Sequence, residues 1–421
     1  MRRLLVPVAA LALLAACSSA PEDSGGESPP SGTTASTTDA STTSEPAPTA
    51  PGSSTGAEKS DGSTHGHGTS GRPPKQAPLR PGERFVELAM PQPYTPAAPY
   101  GSGTDDYRCF LLDPGLDQDA FVTGVNVLPG NPDVVHHVIL FRVPPGDVGD
   151  AEAQDAAEPG QGWTCFGGTG LDTQIGGDLD AAPWIGAWAP GGGESVMAPD
   201  IGIPLQPGSR IIMQVHYNLL AGSAPDVSST QLRLARGNAA LARLETMLMP
   251  APVELPCRPA HDDGPLCERE AAVADVVDRF GAGAGWAVAG LQMLCGGRTV
   301  DPAAGAVQSC DRVVSSPMTV RAVAGHMHLL GRAIRVELNP GTADARTLLD
   351  IPVWDFDNQG AVPLRTPAQI GPGDTLRVTC RHSQQLRDLL PAFDGQPDRY
   401  VVWGDGTTDE MCLGILLVTR A

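Results

Sequence analysis

Between residues 82 and 421 the chain repeats one pattern, in which short runs rich in Val, Ile and Leu end in glycine, proline or other turn-forming residues. Examples are FVTGVNVLPGNPD, SRIIMQVHYNLLAG, DTLRVTCRHS and GILLVTR. These runs have the length of strands, and the frequent turn signals leave little room for long helices. They predict all-β sandwiches, and about 340 residues are enough for two domains of ordinary size. The best helix candidate lies around Glu268 to Phe280.

The chain begins with a different kind of segment. Residues 1–17 combine a basic start, a short apolar stretch and the ending LAAC, followed by Ser18. This pattern resembles a bacterial lipobox, which predicts cleavage before Cys17 and lipidation of its thiol. A plain signal peptide with a chance cysteine is the alternative. We expect an exported protein that is lipid-anchored to a bacterial membrane.

Residues 18–81 contain almost no large apolar side chains and are rich in Ser, Thr, Pro and Gly. Such a composition cannot bury enough surface to offset its ordering entropy, so it predicts a disordered tether. The HGHG sequence at His65 to Gly68 is interpreted as solvated linker. The formal net charge of −20 argues against nucleic acid or anionic lipid as a partner, which leaves the lipid anchor as the expected membrane contact.

Eight cysteines follow Cys17, an even number in a chain that is expected to be exported. No CxxC pair is present, so the usual zinc-ribbon pattern is missing and disulfides are favoured. The eight are Cys109, Cys165, Cys257, Cys267, Cys295, Cys310, Cys380 and Cys412.

Five of the nine histidines lie in three apolar strand contexts, VVHHVILF, IIMQVHYNLL and VAGHMHLLG. His326 and His328 are two residues apart, so on a strand they project to the same face, as half of a metal site would require. His216 alone would be interpreted as a structural core histidine. His136 and His137 are adjacent and would point apart unless the strand bulges or ends there, so periodicity alone leaves their role open.

Met411 follows an acidic turn in WGDGTTDEMCLGILL and precedes an apolar strand. A buried methionine is usually a packing residue. Beside two imidazoles, its thioether would be a soft ligand, and imidazole with thioether suits copper, especially Cu(I), better than zinc, calcium or magnesium.

The order of these motifs, DDYRCFLL, VHHVILF, QVHYN, HMHLLG and DEMC, resembles that of the copper type II, ascorbate-dependent monooxygenases. Peptidylglycine α-hydroxylating monooxygenase and dopamine β-monooxygenase are members of that family. The similarity spans about Phe85 to Ala421. It implies two similar antiparallel, jelly-roll-like β-sandwich domains facing each other across a cleft, each holding one copper, with domain limits here of 82–235 and 236–421.

The resemblance implies two copper sites per chain and a role for each candidate ligand. The electron-transfer copper would be held by His136, His137 and His216, which would explain the histidine doublet and require a distorted strand there. The catalytic copper, which would bind O₂ and hydroxylate the substrate, would be held by His326, His328 and Met411. Ascorbate or another one-electron donor would recharge both coppers.

The resemblance also implies disulfides between Cys109 and Cys165 and between Cys380 and Cys412, the second next to Met411. The remaining four cysteines belong to a divergent insert at about 250–310, where three pairings are possible. We expect Cys257 to pair with Cys267 and Cys295 with Cys310. In the same insert, HDDG at His261 is interpreted as a loop.

Two departures bear on the substrate. The peptide-hydroxylating enzyme has an Arg two residues before HxH and an Asn two residues after the methionine, and both anchor the peptide carboxylate. Ala324 and Leu413 occupy those positions here. A buried carboxylate without its partner is costly, which argues against peptidylglycine, and no feature specifies a catecholamine. Leu329 and Leu413 would instead make the pocket apolar.

Three functions therefore compete. The first is a copper-dependent monooxygenase that hydroxylates a C–H bond of a small organic substrate with O₂. The second is a non-catalytic copper-binding lipoprotein for storage or delivery on the same scaffold. The third is an all-β surface adhesin with structural histidines, which explains HMH and DEMC poorly. Residues 82–421 contain no GxSxG nucleophile motif, and the sequence specifies neither the substrate, the electron donor nor the oligomeric state.

Overall fold

The computed structural model describes residues 76–99, 103–158, 160–166, 168–171, 184–190, 192–296 and 302–420, all within one compact unit, Gly62–Ala421. The predicted signal peptide, Cys17, the HGHG sequence and most of the predicted linker lie outside the described residues. In the part of the chain that is described, no helix combines the length and apolar character needed to cross a membrane.

The first ten strands form the N-terminal sandwich. Helix α1 (Val148–Ala157) lies between its fourth and fifth strands. The strands are β1 (Arg84–Ala89), β2 (Asp105–Leu112), β3 (Ala120–Leu128), β4 (Val135–Val143), β5 (Trp163–Thr164), β6 (Trp184–Trp188), β7 (Ser195–Val196), β8 (Ile201–Leu205), β9 (Arg210–Asn218) and β10 (Ser229–Arg236).

The next ten strands form the C-terminal sandwich and the short pair β12–β19. Helices α2 (Arg269–Phe280) and α3 (Ala282–Leu294) lie in the insert between β12 and β13. The strands are β11 (Ala242–Pro250), β12 (Glu254–Leu255), β13 (Val307–Val313), β14 (Met318–His326), β15 (Gly331–Leu338), β16 (Arg346–Ile351), β17 (Val362–Ile370), β18 (Thr375–His382), β19 (Val401–Val402) and β20 (Leu413–Arg420).

Each sandwich has two sheets. In the N-terminal sandwich the strand orders are β1-β10-β3-β8, with β7 also paired to β3, and β5-β2-β9-β4-β6. In the C-terminal sandwich they are β11-β20-β14-β17 and β13-β18-β15-β16. Pairing within the sheets of each sandwich is antiparallel, whereas β8 and β11 pair in parallel through Ile201 with Ala242 and Gly202 with Arg243. This short contact joins one sheet of each sandwich into a nine-stranded sheet.

Two large hydrophobic cores lie between the sheets. The N-terminal core contains Val122 on β3 and Leu140 on β4, both fully buried, and the C-terminal core contains Val320 on β14 and Val378 on β18. Strand β18 alternates buried side chains with half-buried or exposed ones, as a strand with one face on a core requires. The predicted all-β fold with antiparallel sandwiches is therefore confirmed.

Helix α2 begins one residue after the predicted helix and ends at the predicted Phe280. Gly281, at φ +84°, then separates α2 from α3, and its N–H bonds to the Val277 carbonyl at 2.8 Å. A positive φ is readily adopted only by glycine, which explains why one helix stops and another starts here. Helices α1 and α3 were not predicted.

Residues 76–81, which composition assigned to the linker, contact the N-terminal sandwich. The Ala77 N–H donates to the Glu194 carboxylate at 2.7 Å, and the carbonyls of Ala77 and Pro78 accept hydrogen bonds from Arg233 at 2.8 and 2.9 Å. The Arg233 side chain is only 1% exposed, so its guanidinium needs these acceptors. Residues 76–81 therefore pack on the folded domain, although composition had placed the limit of the linker at residue 81.

Candidate metal centre

The histidine doublet lies on a β-bulge. Strand β4 pairs with β9 so that Val135 lies opposite Tyr217 and His137 opposite His216, and the register shifts by one residue between these pairs. His136 is the extra residue, and a bulge of this kind re-aims a side chain that would otherwise face the opposite side. The expected distortion of the strand is confirmed, and it brings both imidazoles of the doublet to the same side.

Three imidazole nitrogens converge at this bulge. The Nδ1 atom of His137 lies 3.2 Å from Nδ1 of His136 and 3.3 Å from Nδ1 of His216. One ligand atom from each of the three residues lies within 4.8 Å of the others. Metal–imidazole bonds of about 2.0–2.1 Å in tetrahedral geometry place nitrogens about 3.3–3.4 Å apart. The three histidines therefore fit one metal ion.

The protonation of these imidazoles also suits a metal. Burial, together with the charge of neighbouring histidines, lowers the pKa of His136 and of His137 well below the usual value. Both side chains are therefore neutral at neutral pH, and the neutral imidazole is the form that binds metal. Three Nδ1 atoms this close together cannot all be satisfied by hydrogen bonds to one another. A cation between them could accept a lone pair from each nitrogen.

Asp105 orients the third imidazole from behind. Its Oδ1 lies 2.8 Å from Nε2 of His216, so His216 donates through Nε2 and directs the lone pair of Nδ1 towards His137. Burial raises the pKa of Asp105, but the hydrogen bond and charge of His216, with hydrogen bonds from Thr407 and Thr104, outweigh it and lower the net pKa. Asp105 is therefore an ionised carboxylate of the kind that commonly supports metal-binding histidines.

Tyr107 fixes the plane of the same ring. Tyr107 lies opposite His216 in the β2–β9 pairing, and the two rings stack with centroids 4.0 Å apart and planes 8° apart. The Tyr107 hydroxyl donates to the Asp405 carbonyl at 2.8 Å. The orientation of His216 is thus set by a hydrogen bond at its edge and an aromatic ring against its face.

The second predicted ligand set lies at the end of β14. His326 is the last residue of that strand and pairs with Leu413 on β20. Met411 lies two residues before Leu413 in the chain, and its backbone carbonyl oxygen lies 3.3 Å from Nε2 of His382. Burial lowers the pKa of His326 to about 3 and also lowers the pKa of His328, which keeps both imidazoles neutral.

Glu410 fixes the backbone of the HMHLL segment. Its carboxylate is fully buried and accepts hydrogen bonds from the N–H groups of His328 at 3.1 Å and Leu330 at 2.5 Å. The same carboxylate lies 3.3 Å from Nε2 of His382. Glu410 precedes Met411 directly, so one side chain ties the segment that carries the methionine to the segment that carries the histidines.

The two ligand sets lie close together. The ring centroids of His137 and His326 are 6.2 Å apart, and the Phe356 ring stacks on His136 at 4.5 Å. Gln359, in the same loop as Phe356, bonds through Oε1 to Nδ1 of His326 at 2.6 Å, which leaves Nε2 of His326 for a ligand. At the histidines the two sandwiches are therefore in contact, where the resemblance implied a cleft.

All four expected disulfides are present. They join Cys109 to Cys165, Cys257 to Cys267, Cys295 to Cys310 and Cys380 to Cys412. The last of these ties β18 to the residue after Met411. His261 lies exposed in an irregular segment closed by the second disulfide, as the loop interpretation predicted.

Sequence reasoning missed five residues around the ligands. These are Asp105, Tyr107, Phe356, His382 and Glu410. Asp105, Tyr107 and Glu410 belong to the motifs DDYRC and DEMC, where only the cysteines and the methionine were assigned roles. For Glu410 the available signal was its position directly before the candidate ligand Met411, because a charge that is buried beside a ligand needs a partner.

No protein-family model matches the chain. Among solved structures, the major capsid protein P2 of bacteriophage PM2 is 10% identical, with a TM-score of 0.28, 80% of this chain covered and 97% of that one. The VP2 subviral particle of infectious bursal disease virus is 9% identical, with a TM-score of 0.18 and coverage of 80% and 72%. A fucolectin from striped bass serum is 8% identical, with a TM-score of 0.16 and coverage of 81% and 97%. Similarities of this size carry no argument about function.

Proposed function

We propose that the protein is an exported, lipid-anchored, copper-dependent monooxygenase that hydroxylates a C–H bond of a small organic substrate. The co-substrate is O₂, and a one-electron donor such as ascorbate supplies the electrons. The observation that carries the proposal is the convergence of the Nδ1 atoms of His136, His137 and His216, in contact with the second histidine pair. The proposed reaction needs two electrons, and two ligand sets this close together could hold two coppers that supply one electron each.

Copper is proposed from the chemistry of the donors. The first set offers three imidazoles and no carboxylate, and the second offers two imidazoles and the thioether of Met411. Thioether is a soft ligand that favours Cu(I), whereas calcium and magnesium require oxygen ligands. Bound copper would supply the one-electron chemistry of the reaction, one electron from each site.

The surrounding residues have separate tasks in this proposal. Asp105 keeps Nε2 of His216 protonated, so Nδ1 is free to bind metal. Glu410 accepts a hydrogen bond from the backbone N–H of His328 and so fixes the position of that residue. Phe356 covers His136 and keeps water away from the space between the two histidine sets.

The substrate is proposed to be apolar near the second site. Leu413 pairs with His326 and is 7% exposed, and Ala324, two residues earlier on β14, is also 7% exposed. Neither side chain can bind a carboxylate. A substrate that presents an apolar C–H group therefore fits better than a peptide with a free carboxylate.

A non-catalytic copper protein on the same scaffold is the second candidate. The burial of His136 and His328, each 3% exposed, favours it because a storage site benefits from shielding its metal. The two functions differ in one measurable respect: only the enzyme consumes O₂ in proportion to a hydroxylated product.

The test is copper stoichiometry of the reconstituted chain, with X-ray absorption of the reduced form. We expect two coppers per chain and a sulfur scatterer. Met411→Ile should retain about one copper and lose the sulfur signal, while the control Met293→Ile, at a 65% exposed methionine, should match the parent. Absence of tightly bound copper would contradict both copper functions.

Activity then separates the enzyme from the carrier. A panel of small substrates would be incubated with ascorbate and O₂, and hydroxylated product would be measured by mass spectrometry. Product formed by the parent and by Met293→Ile, but not by Met411→Ile, supports the enzyme. Two bound coppers with no O₂ consumption across the panel would favour storage or delivery.

A further inference from the structure

A segment of the C-terminal sandwich contacts the ligand set of the N-terminal sandwich. This segment, Gly404–Glu410 with the sequence GDGTTDE, connects β19 to β20 and is called the acidic turn below. The backbone N–H of Thr407 donates to Oδ1 of Asp105 at 3.2 Å, and the Thr407 hydroxyl donates to the same oxygen. That oxygen is the one that accepts the Nε2–H of His216.

Other contacts hold Thr407 in place. Asp409, 2% exposed, accepts hydrogen bonds from both terminal nitrogens of Arg279 on α2, at 2.7 and 2.8 Å, and from Arg399. Its carboxylate also accepts from the Gly406 N–H at 3.2 Å. A side chain at Gly406 would meet the Asp409 carboxylate at 2.7 Å, so glycine is required for this close approach. The acidic turn is therefore a rigid element clamped by the insert helix.

The same turn supports the second ligand set. Glu410, at its end, accepts the N–H groups of His328 and Leu330. Thr407 and Glu410 are three residues apart in one hydrogen-bonded turn. One short segment thus contributes hydrogen bonds next to a ligand of each set.

We propose that Thr407 is a positioning residue for the first metal site, supplied by the opposite sandwich and acting through Asp105 on His216. This inference rests on the proposed function, because it assumes that His216 binds copper. The Thr407 hydroxyl and backbone N–H hold Asp105 at the distance where it can accept from His216. Removing the hydroxyl frees Asp105 to shift and loosens the imidazole that it orients.

The experiment measures Cu(I) affinity of the first site by competition with a chromogenic Cu(I) chelator, using full chains that carry Met411→Ile so that one copper is bound. Thr407→Val keeps the shape of the side chain and removes the hydroxyl, and we expect about a tenfold loss of affinity. Thr407→Ser restores the hydroxyl and should lie within about twofold of the parent, by the same reasoning. Thr408→Val, at the neighbouring 8% exposed threonine, is the matched control and should leave the affinity unchanged.

A double-mutant cycle with Asp105→Asn separates positioning from a general structural effect. If Thr407 acts through Asp105, Thr407→Val changes the affinity and the Cu(II) hyperfine splitting in the parent, and changes neither once Asp105 is Asn. Equal affinity of Thr407→Val and its parent, or additive losses in the cycle, would overturn the inference while the proposed function stands. A parent chain that binds no copper would overturn both.

Discussion

Removing the carboxylate of Glu410 should destabilise the C-terminal sandwich strongly. Glu410 is fully buried, and truncation to Ala leaves the N–H groups of His328 and Leu330 without their acceptor and removes the carboxylate beside His382. Each buried, unsatisfied N–H costs about 1–3 kcal/mol, so we expect Glu410→Ala to lower the free energy of unfolding by about 3–5 kcal/mol. That is a large part of the total stability of a typical domain, about 5–15 kcal/mol.

The assay is guanidinium denaturation of the metal-free, oxidised protein, followed by fluorescence. Glu410→Gln keeps the shape and one acceptor oxygen, so it should lose about 1–3 kcal/mol and remain measurable if the Ala variant does not fold. The matched control is Glu245→Ala, since Glu245 is 41% exposed and pairs with Arg420 at 2.8 Å. An exposed pair contributes about 0–1 kcal/mol. A loss below about 1 kcal/mol in both Glu410 variants, or a loss equal to that of the control, would refute the reasoning.

Three further outcomes are expected. Replacing Cys380 and Cys412 with Ser should lower the free energy of unfolding by about 3–4 kcal/mol, because the disulfide closes a loop of 32 residues. Equal denaturation midpoints with and without the disulfide would contradict this prediction. Burial and the nearby charge of Asp409 raise the pKa of Asp405 from 3.8 to about 7. Between these two values the folded state holds a proton that the unfolded state releases. The free energy of unfolding should therefore fall as pH rises from about 4 to 7, by at most about 4 kcal/mol. Asp405→Asn should flatten this dependence in denaturation curves recorded across that range, and parallel curves for variant and parent would count against it. Gly162→Ala should lower the free energy of unfolding by at least about 2 kcal/mol, because φ at Gly162 is +68° and the new Cβ would lie 2.1 Å from the Cys109 carbonyl oxygen. An unchanged denaturation midpoint would show that this close approach does not require glycine.

The strands were predictable because they depend on local patterns, whereas the bulge was expected because the resemblance assigns both histidines of the doublet to one metal. Apolar runs ended by Gly and Pro mark strands wherever they occur, and two adjacent histidines can act together only if the strand is irregular. The helix near Glu268–Phe280 was also predictable from the local sequence pattern. Helix α3 was not, because AGAGWAVAGLQML is rich in Gly and Ala and carries no charged residue to mark a polar face.

The contacts around the ligands could not be read from the sequence, because they depend on which strands pair and in what register. Thr407 contacts Asp105 across 302 positions of the chain, and Tyr107 meets His216 because β2 pairs with β9 in one particular register. The approach of the two sandwiches follows in part from the β8–β11 contact, which involves only two residue pairs and has no sequence signature. Long-range pairing of this kind is set by the whole fold.

The bulge at His136 has a consequence for moving this site into another protein. In regularly paired antiparallel strands, neighbouring side chains diverge, so grafting HH onto one strand and a single His onto the next would aim one imidazole away from the other two. The unit to transplant is therefore a pair of strands that includes the bulge. Between the pairs Val135–Tyr217 and His137–His216, the strand that carries the doublet has one extra residue, His136. A designer would have to build that length difference first and add the histidines second.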